Sequence, residues 1–309
     1  MVPGRLKGEL LTEHDPNLAV AIREIAAPND VWTMRETPLR LLEEALRRLP
    51  KAEVSEEERR YPTTPQGMRA FMDRFFARHF FQTQDSLVEY FASLAFEAAA
   101  RRGYIHVADV GSGPSVASLA IADLACTTIA ATRQVGRIRS AGCLAVHVAL
   151  NDTSEICLAE GRSLLKRYNR GGNKPISIRR VIPISTPFPD SITQFRRIAR
   201  MTEPYDLCCL GYVVIPLSEQ VGVQAFADGI KQLVQAGYGN GGQLLLTQDK
   251  FHEDLHRQIC RHLGTSAETV DLKQRVYDSE NQNLEHTYTY CRSCSPLSKM
   301  SGLTHSAVA

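Results

Sequence analysis

The chain has 309 residues, of which 43% are apolar and 23% are charged, and its net charge is +2. These values are typical of a globular protein with one large domain, or one domain and an accessory domain. Residues 1–12 lack the apolar core of a secretory signal, and no run approaches the roughly 18 apolar residues of a membrane span. We therefore expect a cytoplasmic protein that does not bind a membrane.

Residues 1–60 are predicted to form a charged, N-terminal helical extension. Asp15-Pro16 and Thr37-Pro38 each pair a capping residue with a proline, a pattern that starts a helix. Residues 56–60 form a charge run that is expected to be a solvated connector.

Residues 61–103 are predicted to form a helical cover of two helices. The first starts at Thr64-Pro65, and the second runs from about Ser86 to Arg102. The first has apolar side chains at helical spacing on one face, namely Met68, Phe71, Met72, Phe75, Phe76 and Phe80. Such an aromatic stripe favours a place in the core over a base-stacking or substrate platform.

A strand, a glycine turn and a helix follow one another from Tyr104. The apolar strand carries Asp109 at its end, the turn contains Gly111 and Gly113, and an alanine-rich helix runs from Pro114 towards Leu124. This is the opening βα unit of a doubly wound sheet, in which ligands bind at the carboxyl ends of the strands. A dinucleotide fingerprint would need a third glycine where Val116 stands, and Asp109 would repel a pyrophosphate, so an NAD enzyme is disfavoured.

The rest of the chain alternates between strand and helix. Further strands are predicted at 144–150, 177–184, 205–214, 243–247 and 270–291, with helices at 153–168, 220–235 and 251–263 and a turn at 237–242. This alternation predicts an α/β, Rossmann-like, doubly wound and mostly parallel sheet of about seven strands. We assign the α/β core to residues 104–292 and a flexible tail to residues 293–309.

The glycine turn resembles the first motif of class I S-adenosylmethionine-dependent methyltransferases, which reads approximately D/E-x-G-x-G-x-G. Asp109, Gly111 and Gly113 match it, and Ser115 replaces the third glycine. The resemblance covers roughly residues 61–292 and implies S-adenosylmethionine as the cofactor. A weaker likeness to ribosomal small-subunit methyltransferase-like proteins rests on the Thr-Pro helix, the Gly-Ser-Gly-Pro turn and the helix after the fifth strand.

The resemblance also implies roles for individual side chains. Asp109 would face the cationic part of the cofactor, Asp152 after the second strand would accept the ribose hydroxyls, and Gly211 would lie beside them. Asp152 is 43 residues beyond Asp109, about twice the usual interval. Either a loop is inserted at 126–143, or another strand is the true second one. Asp190 or Ser185 is the candidate contact for adenine.

The acceptor side of such enzymes is usually built after the fourth strand, so Tyr212 and Glu219 are the catalytic candidates. Asp249 and His252 are further candidates. The chain has no Asn/Asp-Pro-Pro-Tyr/Phe tetrapeptide and no Pro-Cys pair. These absences argue against exocyclic-amine enzymes of that type and against carbon-5 pyrimidine methylation.

Eight cysteines are scattered along the chain, and only Cys291 and Cys294 form a C-x-x-C pair. We expect reduced thiols and no metal, because no second pair and no histidine at metal spacing accompany them.

Positive charge is concentrated between residues 133 and 200. This window holds thirteen Lys and Arg but only four acids. Such asymmetry is expected for a partner with a phosphate backbone, although a solvated helix face explains it equally well. We expect structured RNA as the methyl acceptor. The alternatives are a small metabolite as acceptor, or a non-catalytic, nucleic-acid-binding protein with this fold. The N-terminal helices are a possible homodimer contact.

Overall fold

The computed structural model describes residues 13–135, 143–170, 174–212, 214–277, 284–296 and 300. These residues form a seven-stranded sheet with helices on both faces. The strands are β1 (Tyr104–Val110), β2 (Leu144–Asn151), β3 (Ile176–Ile184), β4 (Tyr205–Gly211), β5 (Tyr238–Asp249), β6 (Glu268–Arg275) and β7 (Glu285–Pro296).

The strand order is β3-β2-β1-β4-β5-β7-β6. Strands β1 to β5 are parallel, and β7 runs antiparallel to both β5 and β6. The order reverses between β1 and β4, which is where an open α/β sheet places its ligand crevice. The predicted doubly wound, mostly parallel sheet is confirmed.

The helices of the N-terminal part are α1 (Pro16–Ala26), α2 (Glu36–Arg48), α3 (Glu56–Arg60), α4 (Pro65–Phe91) and α5 (Leu94–Arg102). Those of the sheet region are α6 (Val116–Gln134), α7 (Glu155–Tyr168), α8 (Ile192–Met201), α9 (Val214–Val221), α10 (Val223–Gly237) and α11 (Glu253–Leu263). Short 3₁₀ turns at Pro28–Asp30 and Lys250–His252 complete the described elements.

Several predicted helix boundaries were wrong. The break expected before Ser86 lies instead at Ala92 and Ser93, where the Ser93 side chain caps α5 by accepting from the Phe96 N–H. The helix expected over 220–235 is two helices, because Gly222 adopts φ +82° between them. The helix after the glycine turn starts at Val116 rather than Pro114, since Ser115 is left-handed.

The strand boundaries also needed correction. The fourth strand, which was expected at 205–214, ends at Gly211. The turn expected at 237–242 is wrong, because β5 already begins at Tyr238. The tract at 270–291 divides into β6 and β7, and β7 extends to Pro296 into the expected tail. Apart from residues up to 296 and Met300, that tail lies outside the described residues.

The predicted second strand was identified correctly, since β2 pairs with β1 over Tyr104–Val110. Helix α6, which is 19 residues long, takes up part of the long interval to Asp152. Part of the suspected insertion, residues 136–142, lies outside the described residues.

Two apolar layers enclose the sheet. One packs α1, α2, α4, α6 and α7 against the sheet, and the other packs α8, α10 and α11 against the opposite face. Among the helices that the structure describes, α6 alone is long and apolar enough to cross a membrane, judged by its length and composition. It is 83% buried within the fold, as expected of a core helix.

Ion pairs join the N-terminal helices to the core. Arg23 contacts Asp85 of α4 at 2.5 Å, and Arg35 contacts Asp123 of α6 at 2.5 Å. A third arginine of this segment, in α2, pairs with Glu160 of α7. Because these acids are almost fully buried, their charges require partners. The N-terminal helices therefore pack on the core. The residues at which the domains divide stay a prediction.

Candidate cofactor site

The glycine turn after β1 depends on left-handed backbone geometry. Gly111 has φ +61° and Gly113 has φ +50°, values that glycine adopts without a steric penalty. The Ser112 N–H donates to the Asn151 carbonyl at 2.8 Å, which joins the turn to the end of β2. Gly111 and Gly113 are both partly exposed, so their backbone is open to a ligand.

Asp152 links the carboxyl ends of β1 and β2. One carboxylate oxygen accepts from the Gly113 N–H at 2.8 Å, and the other accepts from the Ser154 N–H at 2.8 Å. Burial raises the pKa of this carboxyl, and the two N–H donors oppose the shift. The side chain is only partly buried, so it stands at the edge of the crevice.

Asp109 lies deeper than the sequence suggested. It is 1% exposed, and one of its oxygens accepts from the Ser118 hydroxyl of α6 at 2.6 Å. Burial raises the pKa of this carboxyl to about 7, against the lowering effect of the Ser118 hydrogen bonds. The Asp109 carboxylate, which was expected to be exposed, is therefore internal. Its hydrogen bond to Ser118 joins β1 to α6. Its role as a direct cofactor ligand stays a prediction.

Ser115 is likewise turned into the fold. It has φ +62°, which is uncommon outside glycine, and it is fully buried. Its hydroxyl finds no hydrogen-bond partner among the described residues. A Cβ added at Gly161 of α7 would lie 2.1 Å from the Ser115 Oγ, so Gly161 makes room for this serine. Ser115 thus packs inside the fold against Gly161 and contributes to the conformation of the turn.

Gly211 and Tyr212 end β4 beside the glycine turn, because Val110 and Leu210 pair in the sheet. Tyr212 has φ +62°, and its N–H donates to the Thr247 carbonyl at 2.9 Å. This left-handed backbone is a true outlier for an aromatic residue. Burial raises the pKa of the Tyr212 phenol above its usual range.

The cover helix α4 lays a row of rings over these strand ends. Phe71, Phe75 and His79 follow at intervals of four residues, with ring centroids 5.6 and 5.7 Å apart. The Phe71 Cζ lies 3.9 Å from a Cβ built on Gly113. At the other end, the rings of His79 and Tyr212 stack at 3.6 Å with 13° between their planes.

The prediction that the aromatic stripe belongs to the core is confirmed, since all six side chains named for it are buried. His79 was missed by sequence reasoning. Its position four residues after Phe75, on the same helix face, was the available signal.

The other predicted site residues are more dispersed. Glu219 is exposed on α9, where its charge adds to burial in raising the pKa of Tyr61. Ser185 and Asp190 are exposed beyond β3. The structure thus brings together Gly111, Gly113, Asp152, Gly211 and Tyr212. Nothing places Glu219 beside Tyr212.

Asp249 and His252 follow the end of β5. Asp249 forms an ion pair with Arg78 of α4. His252 lies in the 3₁₀ turn that precedes α11 and is partly exposed.

The polar residue that sequence reasoning missed at the end of β2 is Asn151. Its side-chain N–H groups donate to the carbonyls of Ile184 and Thr186, at 3.0 and 2.7 Å. This amide therefore fixes the start of the loop after β3.

A surface that we name the basic edge surrounds the outer strand β3. Its cations are exposed and form no ion pair within the described part of the chain; they are Arg162, Lys166 and Arg170 near α7, Arg179 and Arg180 on β3, and Arg197 and Arg200 on α8. Residues 137 and 139 of the predicted basic window lie outside the described residues.

Cys291 and Cys294 both belong to β7, three residues apart. Side chains at this spacing point to opposite faces of a strand. In the described part of the chain, no group of three metal-binding side chains is close enough to hold an ion.

No protein-family model matches the chain, and no curated protein matches it significantly. Solved structures do align with it. A precorrin-8W decarboxylase from Methanobacterium thermoautotrophicum is 15% identical, with 64% of this chain and 85% of that chain covered and a TM-score of 0.37. A methyltransferase described as S-adenosylmethionine-dependent, from Agrobacterium tumefaciens, is 12% identical, with 69% and 62% covered and a TM-score of 0.38.

A tRNA (m1A58) methyltransferase from Aquifex aeolicus is 12% identical, with 65% and 67% covered and a TM-score of 0.33. The structural neighbours thus include S-adenosylmethionine-dependent methyltransferases, the group that the first motif resembles. At these identities and scores the likeness concerns the fold, and no activity follows from it. The narrower likeness to ribosomal small-subunit proteins stays a prediction.

The residues at the strand ends fit S-adenosylmethionine in their chemistry. The turn has two glycines without Cβ atoms, at Gly111 and Gly113, and both are partly exposed. Each oxygen of Asp152 accepts one hydrogen bond and keeps acceptor capacity for a vicinal diol. Asp109 and Ser115 are the two predicted ligands whose side chains are closed off.

Proposed function

We propose that the protein is an S-adenosylmethionine-dependent methyltransferase whose acceptor is structured RNA. The observation that carries this proposal is the Asp152 carboxylate, which accepts from the Gly113 N–H at the carboxyl ends of β1 and β2. It sets an anion beside an open glycine turn at the switch region of the sheet. A ligand with ribose hydroxyls, an ammonium and a sulfonium suits this combination.

The chain's own residues would bind and orient the cofactor. Asp152 would accept the ribose hydroxyls, and the backbone at Gly111 and Gly113 would approach the amino-acid part closely. Gly211 would leave room beside them at the end of β4. Asp109 would support the site from below through its bond to Ser118.

When bound, S-adenosylmethionine supplies a methyl group on a positively charged sulfur, which an in-line nucleophile displaces. The protein's share is to position the two reactants and exclude water. The rings of Phe71, Phe75 and His79 cover the strand ends, where they would exclude water.

The basic edge supports RNA as the acceptor. Arg162 and Lys166 lie four residues apart on one exposed face of α7, and Arg170 is exposed just beyond the end of this helix. Like charges at this spacing repel one another and destabilise a helix. A phosphate backbone would relieve this repulsion. Arg179 and Arg180 extend the same positive surface along β3.

Two alternatives draw on particular observations. A small metabolite is favoured by the apolar rings of Phe71 and Phe75, which close over the strand ends. A non-catalytic nucleic-acid-binding protein is favoured by the buried Asp109 and by Phe71, which lies 3.9 Å from the Cβ position of Gly113.

Calorimetric titration with S-adenosylmethionine and S-adenosylhomocysteine tests the proposal. We expect saturable binding of both to the folded protein. Absence of heat at high micromolar ligand, with a normal circular dichroism spectrum, would leave only the non-catalytic alternative. Methyl transfer from labelled S-adenosylmethionine to a pool of unmodified transcribed RNA, compared with a pool of small metabolites, then separates the two acceptor classes.

A further inference from the structure

The rings of His79 and Tyr212 form a stacked pair. Of these two residues, only Tyr212 was predicted as a site residue from the sequence. Their centroids are 3.6 Å apart, and their planes differ by 13°. His79 comes from the cover helix α4, whereas Tyr212 directly follows the last residue of β4. The pair therefore joins the cover to the sheet directly beside Gly211, where an acceptor would approach the crevice.

Both rings keep unused hydrogen-bonding groups. Within the described part of the chain, the buried Tyr212 hydroxyl has no hydrogen-bond partner of good geometry, and the hydrogen bond found at His79 is made by its backbone carbonyl, which accepts from the Thr83 hydroxyl. A buried hydroxyl without a partner destabilises the fold, so such a group calls for an explanation. A ligand that contacts both rings would satisfy them together.

The surroundings set different protonation states for the two rings. Burial lowers the pKa of His79 well below its usual range, and the positive charge of Arg78 lowers it further. Burial raises the pKa of Tyr212. At neutral pH the imidazole is therefore uncharged and able to accept a proton, while the phenol keeps its proton and can donate a hydrogen bond.

Arg78 lies close to both rings, and its charge and hydrogen bonding lower the pKa of the Tyr212 phenol against the larger effect of burial. It forms an ion pair with Asp249 at the end of β5, and its guanidinium carbon lies 5.1 Å from the centre of the Tyr288 ring. Arg78 is thus a fixed positive charge beside His79. The groups that face the imidazole are Arg78, Tyr212 and the rings of Phe71 and Phe75.

We propose that His79 accepts the proton which the methyl acceptor loses, while the Tyr212 hydroxyl donates a hydrogen bond to the same acceptor group. This inference rests on the proposed function and narrows the acceptor to an N–H or O–H group. The acceptor atom forms a bond to the methyl carbon, the carbon–sulfur bond breaks with its electron pair left on sulfur, and the acceptor's proton passes to a His79 ring nitrogen.

Nuclear magnetic resonance of ¹⁵N-histidine-labelled protein tests this role without measuring turnover. His79→Gln assigns the His79 signal by its loss, and His262→Gln, on the distant helix α11, is the matched control. We expect a neutral ring at pH 7 with one unprotonated nitrogen, and a shift of this signal on addition of S-adenosylhomocysteine.

The outcomes separate this inference from the proposed function. If calorimetry shows that S-adenosylhomocysteine binds but the His79 signal does not move, or if the ring is charged at pH 7, His79 is not the proton acceptor. If S-adenosylhomocysteine does not bind at all, the proposed function fails first, and the inference fails with it. Binding with unchanged affinity in His79→Gln is expected, because the role concerns the acceptor.

Discussion

The Asp152 carboxylate accepts a 2.8 Å hydrogen bond from the Gly113 N–H, although the two residues are 39 positions apart. This bond joins the loop after β2 to the glycine turn after β1. It defines one side of the crevice at which a cofactor would bind. It also holds Gly113 in its left-handed conformation.

Asp152→Ala should weaken the binding of S-adenosylmethionine by about 10- to 100-fold, because charge-assisted hydrogen bonds contribute about 1.5–3 kcal/mol each. Calorimetric titration measures the change. Glu155→Ala, in the exposed first turn of α7, is the matched control and should bind normally. Equal affinity in both variants would mean that Asp152 serves the fold alone.

Asp109 should make stability depend on pH. Its pKa in the folded protein is about 7, above the ordinary 3.8, so the folded state binds more protons between these values. The free energy of unfolding should therefore fall as pH rises from about 4 to 7, by up to about 4 kcal/mol. Urea denaturation at pH 4 and pH 8 measures this. In Asp109→Asn the contribution should vanish, and an unchanged pH dependence would contradict the assignment.

Arg35→Ala should destabilise the protein by about 3–5 kcal/mol, because it leaves the buried Asp123 carboxylate without its charged partner. The comparison is Arg40→Ala, which removes a partly exposed i,i+4 pair with Glu44 and should cost at most about 0.5 kcal/mol. Urea denaturation measures both. Similar losses would show that the N-terminal helices are not anchored by this contact.

Gly161→Ala should destabilise by about 1–3 kcal/mol, since the new methyl group would lie 2.1 Å from the Ser115 Oγ. Ser115→Gly should stabilise the protein by about 1 kcal/mol, because it removes a left-handed serine and an unpartnered hydroxyl. The double variant should recover most of the loss. Additive effects in thermal denaturation would exclude direct contact.

Arg179→Glu with Arg180→Glu should weaken binding to transcribed RNA and reduce its salt dependence, because fewer counterions are released. Fluorescence anisotropy at several salt concentrations measures both quantities. The control is Arg47→Glu with Arg261→Glu, which changes the net charge equally at exposed sites outside the basic edge. If the control weakens binding as much, net charge and not this surface explains the affinity.

Much of the fold was predictable from local pattern. Proline and capping residues marked the start of α4 at Thr64 and Pro65, and alternating apolar runs marked β1 and β2. Boundaries failed where the backbone departs from ordinary geometry. Ser115 and Gly222 adopt positive φ angles, and nothing in a single sequence distinguishes such a serine from one inside a helix.

The sequence by itself determined the α/β class, the glycine turn with Asp109, Gly111 and Gly113, and the concentration of positive charge, because these follow from residue type and short-range spacing. Only the tertiary structure decided which side chains meet. It turned Asp109 inward to Ser118, joined Asp152 to Gly113, and stacked His79 on Tyr212. The second and third of these contacts link residues far apart in the chain, and long-range packing of α4 and α6 on the sheet places all three.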